Sequence, residues 1–178
     1  DNTIGSTGPE DLSGRVWLTW DEDAVTLSAD ITDDIHAQSA TGGNIWRGDS
    51  IQFSLAAGAP GEAEAWSEFG VALTPEGPQV HRWLSEADPL GAVEGAVAEV
   101  VRDDDAHRTV YEVAIPWARL GGFDPSLGLM SASVLVNEAD EAGRAGFIEW
   151  GGGISGVKDS GLFQAVRLLP EPEPDTVR

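Results

Sequence analysis

Trp46 and Arg47 stand side by side just ahead of Gly48, in the run Asn44-Ile-Trp-Arg-Gly-Asp-Ser-Ile-Gln-Phe-Ser-Leu55. An indole offers a flat apolar face, while a guanidinium fork and the planar amide of Gln52 offer directional hydrogen bonds. Together they meet the needs of a sugar ring, which has an apolar face to stack and hydroxyls to bind. The competing reading is a Trp that caps the edge of the core. Two further cations, Arg144 and Lys158, fall in or beside loops, where each could bind vicinal hydroxyls or a carboxylate, or simply form a surface ion pair. Trp17, Trp46, Trp66, Trp83 and Trp150 are the candidates for exposed aromatic platforms, and Trp20 and Trp117 fall among inward residues.

The elements that must position these groups are strands. Ile51, Phe53 and Leu55 alternate with Gln52 and Ser54, the period of a strand with one buried and one polar face. Asp49 can tie down the preceding loop by accepting backbone hydrogen bonds. Val16, Leu18 and Trp20, then Val25, Leu27, Ala29 and Ile31, mark a hairpin around Asp21-Glu-Asp23. Alternation over 66–73, 79–84, 93–102, 109–115, 130–137, 146–150 and 162–169 supplies the rest. About ten short strands, with turn signals between them and no long amphipathic helix, predict an all-β antiparallel sandwich, jelly-roll-like. Gln52, Ser54, Gly70, Ala72, Ser131, Ser133 and Asn137 would face outward. If their strands share one sheet, these residues form a shallow polar trough; otherwise they are an ordinary solvated face.

The chain has 178 residues, with 10 Lys plus Arg against 31 Asp plus Glu and a formal net charge of -21. That suits one domain: a lead-in over 1–11, a sandwich over 12–169 and a stiff, charged Pro/Glu-rich linker or tail over 170–178. Such charge excludes nucleic acid, which needs a basic footprint, and argues against anionic membrane surfaces. No run of about 20 apolar residues spans a membrane. No signal peptide is visible at Asp1, so a mature form or an excised domain is expected. With no cysteine there is no disulfide and no thiolate chemistry.

Catalysis finds little support. His36, His81 and His107 make no H-x-x-x-H spacing, no G-x-S-x-G elbow occurs, and nothing singles out a carboxylate pair for glycoside hydrolysis. The acidic clusters at 21–23, 33–34 and 103–105 could hold Ca²⁺ through hard oxygen ligands, or be solvated turns. A haem-binding redox sandwich would need Met130 and one His as axial pair. A structural or inter-domain sandwich that binds nothing small is the remaining alternative.

Four stretches in order resemble carbohydrate-binding module family 9, over about residues 12–169. They are the hairpin Val16 to Asp34, the run Trp46-Arg-Gly-Asp-Ser-Ile-Gln52, the strand Tyr111-Glu-Val-Ala-Ile-Pro-Trp117, and the final strands from Val136-Asn137 through Arg144 to Trp150 and then Lys158 to Leu168. The resemblance implies a secreted, non-catalytic sugar-binding sandwich attached to a polysaccharide-degrading catalytic domain in the same polypeptide. It also implies a structural Ca²⁺, for which Asp33, Asp34 and Asp49 are the expected ligands; the domain is expected to be monomeric. The family holds its sugar between two Trp. Trp46 matches the first, Arg144 matches a site arginine, and Gln52 stands where the family has an acidic residue. The loop 151–158 lacks the second Trp, and a family arginine and asparagine fall at Gly70 and Ala72. Either Trp83 or Trp150 supplies the other wall, or the ligand differs, or the site is lost. The expected polysaccharide or oligosaccharide site therefore comprises Trp46, Arg47, Gln52, Trp83, Asn137, Arg144, Trp150 and Lys158.

Overall fold

The chain is described from a computed structural model over residues 2–169, apart from 87, 122, 141 and 142. The expected linker at 170–178 lies outside the described residues. Twelve strands among the described residues build two sheets. The larger runs β1 (Asn2–Ile4), β11 (Gly143–Trp150), β10 (Leu129–Asp140), β4 (Ser50–Ala57), β5 (Trp66–Thr74), β6 (Gly77–Leu84) and β7 (Gly91–Ala92). In addition, β12 (Gln164–Arg167) pairs with the start of β10. The smaller sheet runs β2 (Leu12–Trp20), β3 (Ala24–Asp33), β9 (Arg108–Pro116) and β8 (Val97–Asp103). The pairings are antiparallel throughout.

The two sheets close on one apolar core. Val25, Leu27, Ala29 and Ile31 of β3, with Tyr111, Val113 and Ile115 of β9, meet Ile51, Phe53, Phe69, Val71, Ala132 and Val134 of the larger sheet. The strict alternation of β3 and β9 follows from a sheet with one face in the core and the other in water. Phe53 and Phe69, cross-strand partners on β4 and β5, stack with centroids 5.3 Å apart. Met130 is fully buried in this core, at the far end of β10 from the segment that faces Asp49. His81 stands instead on the outer face, against Trp83. The haem reading therefore finds no assembled axial pair in His81 and Met130.

The strand expected over 93–102 begins only at Val97, after a turn at 94–95, and two further departures bear on the site. The lead-in is not all loose: Asn2–Ile4 pairs with Ile148 and its neighbours and extends the larger sheet. Residues this rich in Gly and polar side chains carry no alternating signal, and the pairing comes from the waiting edge of β11. The outward face of the larger sheet is also not a solvated one. Ser50, Ser54, Ser131, Ser133 and Asn137 are all buried. Two loops fold over it: the segment 34–49, which contains a short 3-10 helix at Gly42–Arg47, and the segment 151–163.

Candidate functional site

Between these two loops the outer face remains open as a trough of about 610 Å³, lined among others by Trp46, Gln52, Trp83, Arg144 and Lys158. Its floor is set by register. Gln52 on β4 lies between Leu135 of β10 and Gly70 of β5, so these three side-chain positions cross the sheet in one row. Trp83 lies over Gly70, where a β-carbon would come within 2.3 Å of the indole Cη2. Its Nε1 donates to the Gly43 carbonyl at 2.9 Å, which fastens it to the loop that carries Trp46. Trp46 itself is 37 % exposed.

That loop is held at its root. Asp49 accepts from the Ala37 N–H at 2.5 Å and from the Ala139 N–H at 2.8 Å, bridging the loop and β10. Gln38 donates to the carbonyls of Ile45 and Asp49. Ile45, fully buried, packs the loop down onto the sheet. Three residues, Gln38, Ile45 and Asp49, thus hold the loop behind one exposed indole.

Arg144 is positioned by Asn137. The Asn137 amide donates to Ser50 Oγ at 3.0 Å, which leaves its Oδ1 to accept from Arg144 Nε at 2.7 Å. The Arg144 guanidinium carbon lies 6.0 Å from the centre of the Trp46 ring and 5.0 Å from that of Phe147. Arg47 lies 5.3 Å from the Trp46 ring. On the opposite side, Lys158 Nζ donates to both oxygens of Glu68, at 2.7 and 2.6 Å. Glu68 is 2 % exposed, and burial pushes its carboxyl up from the ordinary value against the pull of Lys158.

Not every expected site residue reaches the trough. Asn137 is buried with its amide committed, so it orients Arg144 and does not line the opening. Trp150 departs further. It pairs with Val134, and the two-residue period places it with Ile148 on the inter-sheet side. There it borders a cleft of about 580 Å³ with Val16, Leu18, Ile31, Val136 and Ile148. Conversely, Leu135, Phe147 and Ile154, a small buried apolar cluster, line the trough and were not anticipated as site residues. Leu135 carries a signal in the sequence, since it interrupts the polar series Ser131, Ser133, Asn137. Glu68 carries no such signal, because its pairing with Lys158 spans 90 positions.

The acidic cluster resolves differently from the expected trio. Asp33, His36 and Asp49 each bring one donor atom within 4.8 Å of the others, whereas Asp34 is not in the group. Asp34 is exposed, and its carbonyl faces His107 Nδ1 at 2.8 Å. Both ring nitrogens of His36 are buried without a hydrogen-bond partner. Burial, reinforced by the charge of Asp33, pushes the Asp49 carboxyl up to about 8. Two carboxylates and an imidazole depart from the all-oxygen shell of six to eight ligands that Ca²⁺ takes. They suit a borderline divalent cation that accepts nitrogen. The turn acids are occupied locally: Asp21 accepts from the Asp23 and Ala24 N–H groups, and Asp103 from that of Ala106.

No protein-family model and no curated protein matches this sequence. Solved structures do. A carbohydrate-binding module of family 9 from Caldicellulosiruptor kristjanssonii, in complex with cellotriose, superposes with a TM-score of 0.71 at 16 % identity, covering 97 % of this chain and 83 % of that one. The fold is that of a family 9 module. A second structure from the same organism, in complex with glucose, gives a TM-score of 0.68 at 15 % identity, over 97 % of this chain and 86 % of the other. At these identities the family 9 likeness is one of architecture, and the residues of the trough must be read on their own chemistry.

Proposed function

We propose that this protein is a non-catalytic carbohydrate-binding module, with Trp46 as the stacking platform and Gln52, Arg144 and Trp83 around it. The observation that carries the reading is convergence. Residues from β4, β6, β11 and both covering loops meet in one open trough that combines two indoles with planar polar groups. Such a mixture serves a sugar, which is apolar on its ring faces and polar around its rim. The family 9 neighbours are described as complexes with cellotriose and glucose. Glu68 is the one carboxylate side chain among the residues lining the trough, and Lys158 claims both its oxygens. Glycoside hydrolysis by two flanking carboxylates has no pair to work with there. The resemblance to family 9 further supports a secreted module joined to a polysaccharide-degrading catalytic domain, and we take the module to be monomeric. A divalent cation held by Asp33, His36 and Asp49 would brace the root of the Trp46 loop.

Titration calorimetry with cellotriose and with a panel of soluble oligosaccharides tests the reading. Binding is expected for at least one glycan class and is expected to weaken strongly in Trp46→Ala. A Trp46→Ala protein with undiminished affinity would remove the site from this trough.

The cleft around Trp150 favours a second reading, in which the sandwich serves as an inter-domain support. Val16 and Trp150 face the inter-sheet side yet are 36 % and 43 % exposed, so an apolar mouth stays open beside edge strand β2. This reading predicts no response to any glycan, and a gain in thermal stability when a neighbouring domain is present.

A further inference from the structure

The few cations of this chain are placed unevenly. Arg82, Arg102, Arg108, Arg119 and Lys158 each have a carboxylate partner. In a chain with 31 acidic residues, that is the expected fate of a basic side chain. Arg47 and Arg144 are different. Among the described residues neither has an ion-pair partner, and both lie against the ring of Trp46. Arg15 and Arg167 also lack an ion pair among the described residues, but they stand on exposed strand positions outside the trough lining.

Resting on the sugar-binding reading above, we propose that the trough takes a carboxylate-bearing sugar, a uronic acid residue, with Arg144 and Arg47 receiving its carboxylate beside the Trp46 ring. The Asn137 relay argues for this directly. It commits only Nε of Arg144 and fixes the plane of the guanidinium, leaving both terminal nitrogens unclaimed by any described residue. A guanidinium held in one plane with free terminal donors is pre-organised for two parallel hydrogen bonds to a planar anion. A neutral sugar would use those donors for hydroxyls and leave two positive charges uncompensated beside an apolar ring. Partial burial also disfavours the charged form of Arg144.

Local charge is consistent with this assignment despite the chain's net charge of -21. Lys158 and Glu68 neutralise one another inside the trough, so Arg144 dominates the lining; Arg47 is outside the lining but brings a second positive charge against the ring of Trp46. Repulsion from acids elsewhere is screened beyond a Debye length, about 8 Å at physiological salt. Contact between the fork and a carboxylate lies well inside that distance.

A matched pair of ligands decides the matter: cellotriose, and the same β-1,4-linked trisaccharide with every C6 oxidised to a carboxylate. Calorimetry at one ionic strength is expected to give the uronide an affinity about tenfold or more above cellotriose. Arg144→Gln is expected to bring the ratio near unity, and Arg144→Lys, which keeps the charge but not the fork, to retain part of it. Arg47→Gln, at an exposed position, gives a second reading of the ratio should the Arg144 variants fold poorly. Equal or tighter binding of cellotriose would overturn the uronate assignment and leave the sugar-binding reading standing. Binding of neither trisaccharide, nor of any other glycan, would overturn both.

Discussion

Trp83 lies across Gly70 at a distance no side chain at position 70 could share. A β-carbon there would stand 2.3 Å from the indole Cη2 and 2.4 Å from Cζ3. The absence of a side chain on β5 and the presence of the indole on β6 are one arrangement. Both indoles of the trough therefore lean on the loop containing Gly43, and they do not form a clamp from opposite loops.

Gly70→Ala should therefore act at a distance from its own backbone. The added methyl must displace Trp83 and strain its hydrogen bond to Gly43. A loss of about 1–3 kcal/mol in stability is expected, typical of overpacking, together with a changed near-UV circular dichroism spectrum and weaker glycan binding. A silent substitution, with spectrum and affinity intact, would contradict the placement of the ring.

Trp46→Ala and Trp83→Ala should separate. Trp46 is exposed, so its loss is expected to cut glycan affinity by about 2 kcal/mol or more with little change in melting temperature. Trp83 is half-buried and tied to Gly43, so its loss should cost both affinity and stability. Calorimetric binding and thermal melts on the two variants check the split.

Lys158→Ala leaves Glu68 buried without its cation. Burial already raises the Glu68 carboxyl, and removing Lys158 raises it further. Below that raised value Glu68 is neutral and the variant loses little; above it an unpaired carboxylate is left in the sheet. The gap in stability between native and variant proteins is thus expected to widen as pH rises, reaching about 1–3 kcal/mol. Denaturant unfolding at acidic and mildly alkaline pH would show it.

Asp49 predicts a pH trend of its own. Its carboxyl moves from an ordinary 3.8 in the unfolded chain to about 8 in the folded protein. Between those values the folded state holds a proton that the unfolded state has released, so stability falls as pH rises, and the fall is complete above about 8. Glu138, raised by burial to about 7, adds in the same direction. In chelated protein the melting temperature should drop by about 5 °C or more from pH 5 to pH 8, and Asp49→Asn should flatten that drop. A divalent cation bound at Asp33, His36 and Asp49 would restore the native protein at pH 8 and not the variant.

Much of this arrangement was legible in the sequence, because a period of two is a strong signal when one face is buried. The alternations of β3, β4 and β9 placed the core and turned Gln52 outward, and Gly48 marked the loop bearing Trp46. The outer face was harder. Alternation says that Ser54 and Ser131 point away from the core, but not that a loop folds back to bury them. Trp150 illustrates the limit from the other side: an aromatic at a strand end is exposed whether it faces solvent or an open inter-sheet mouth. Pairings across long separations, such as Lys158 with Glu68, depend on topology and leave no local trace.

The separations in this site have a consequence for assembly. Asn137 reaches Ser50 across 87 positions, and Ala139 reaches Asp49 across 90. Lys158 reaches Glu68 across another 90. Contacts of such high order require large loops to close before they reward the chain, so they form slowly and late. No short fragment can nucleate the trough, and its parts meet only once β10 has docked on β4. Appearance of glycan binding during refolding would therefore time the completion of the whole sandwich.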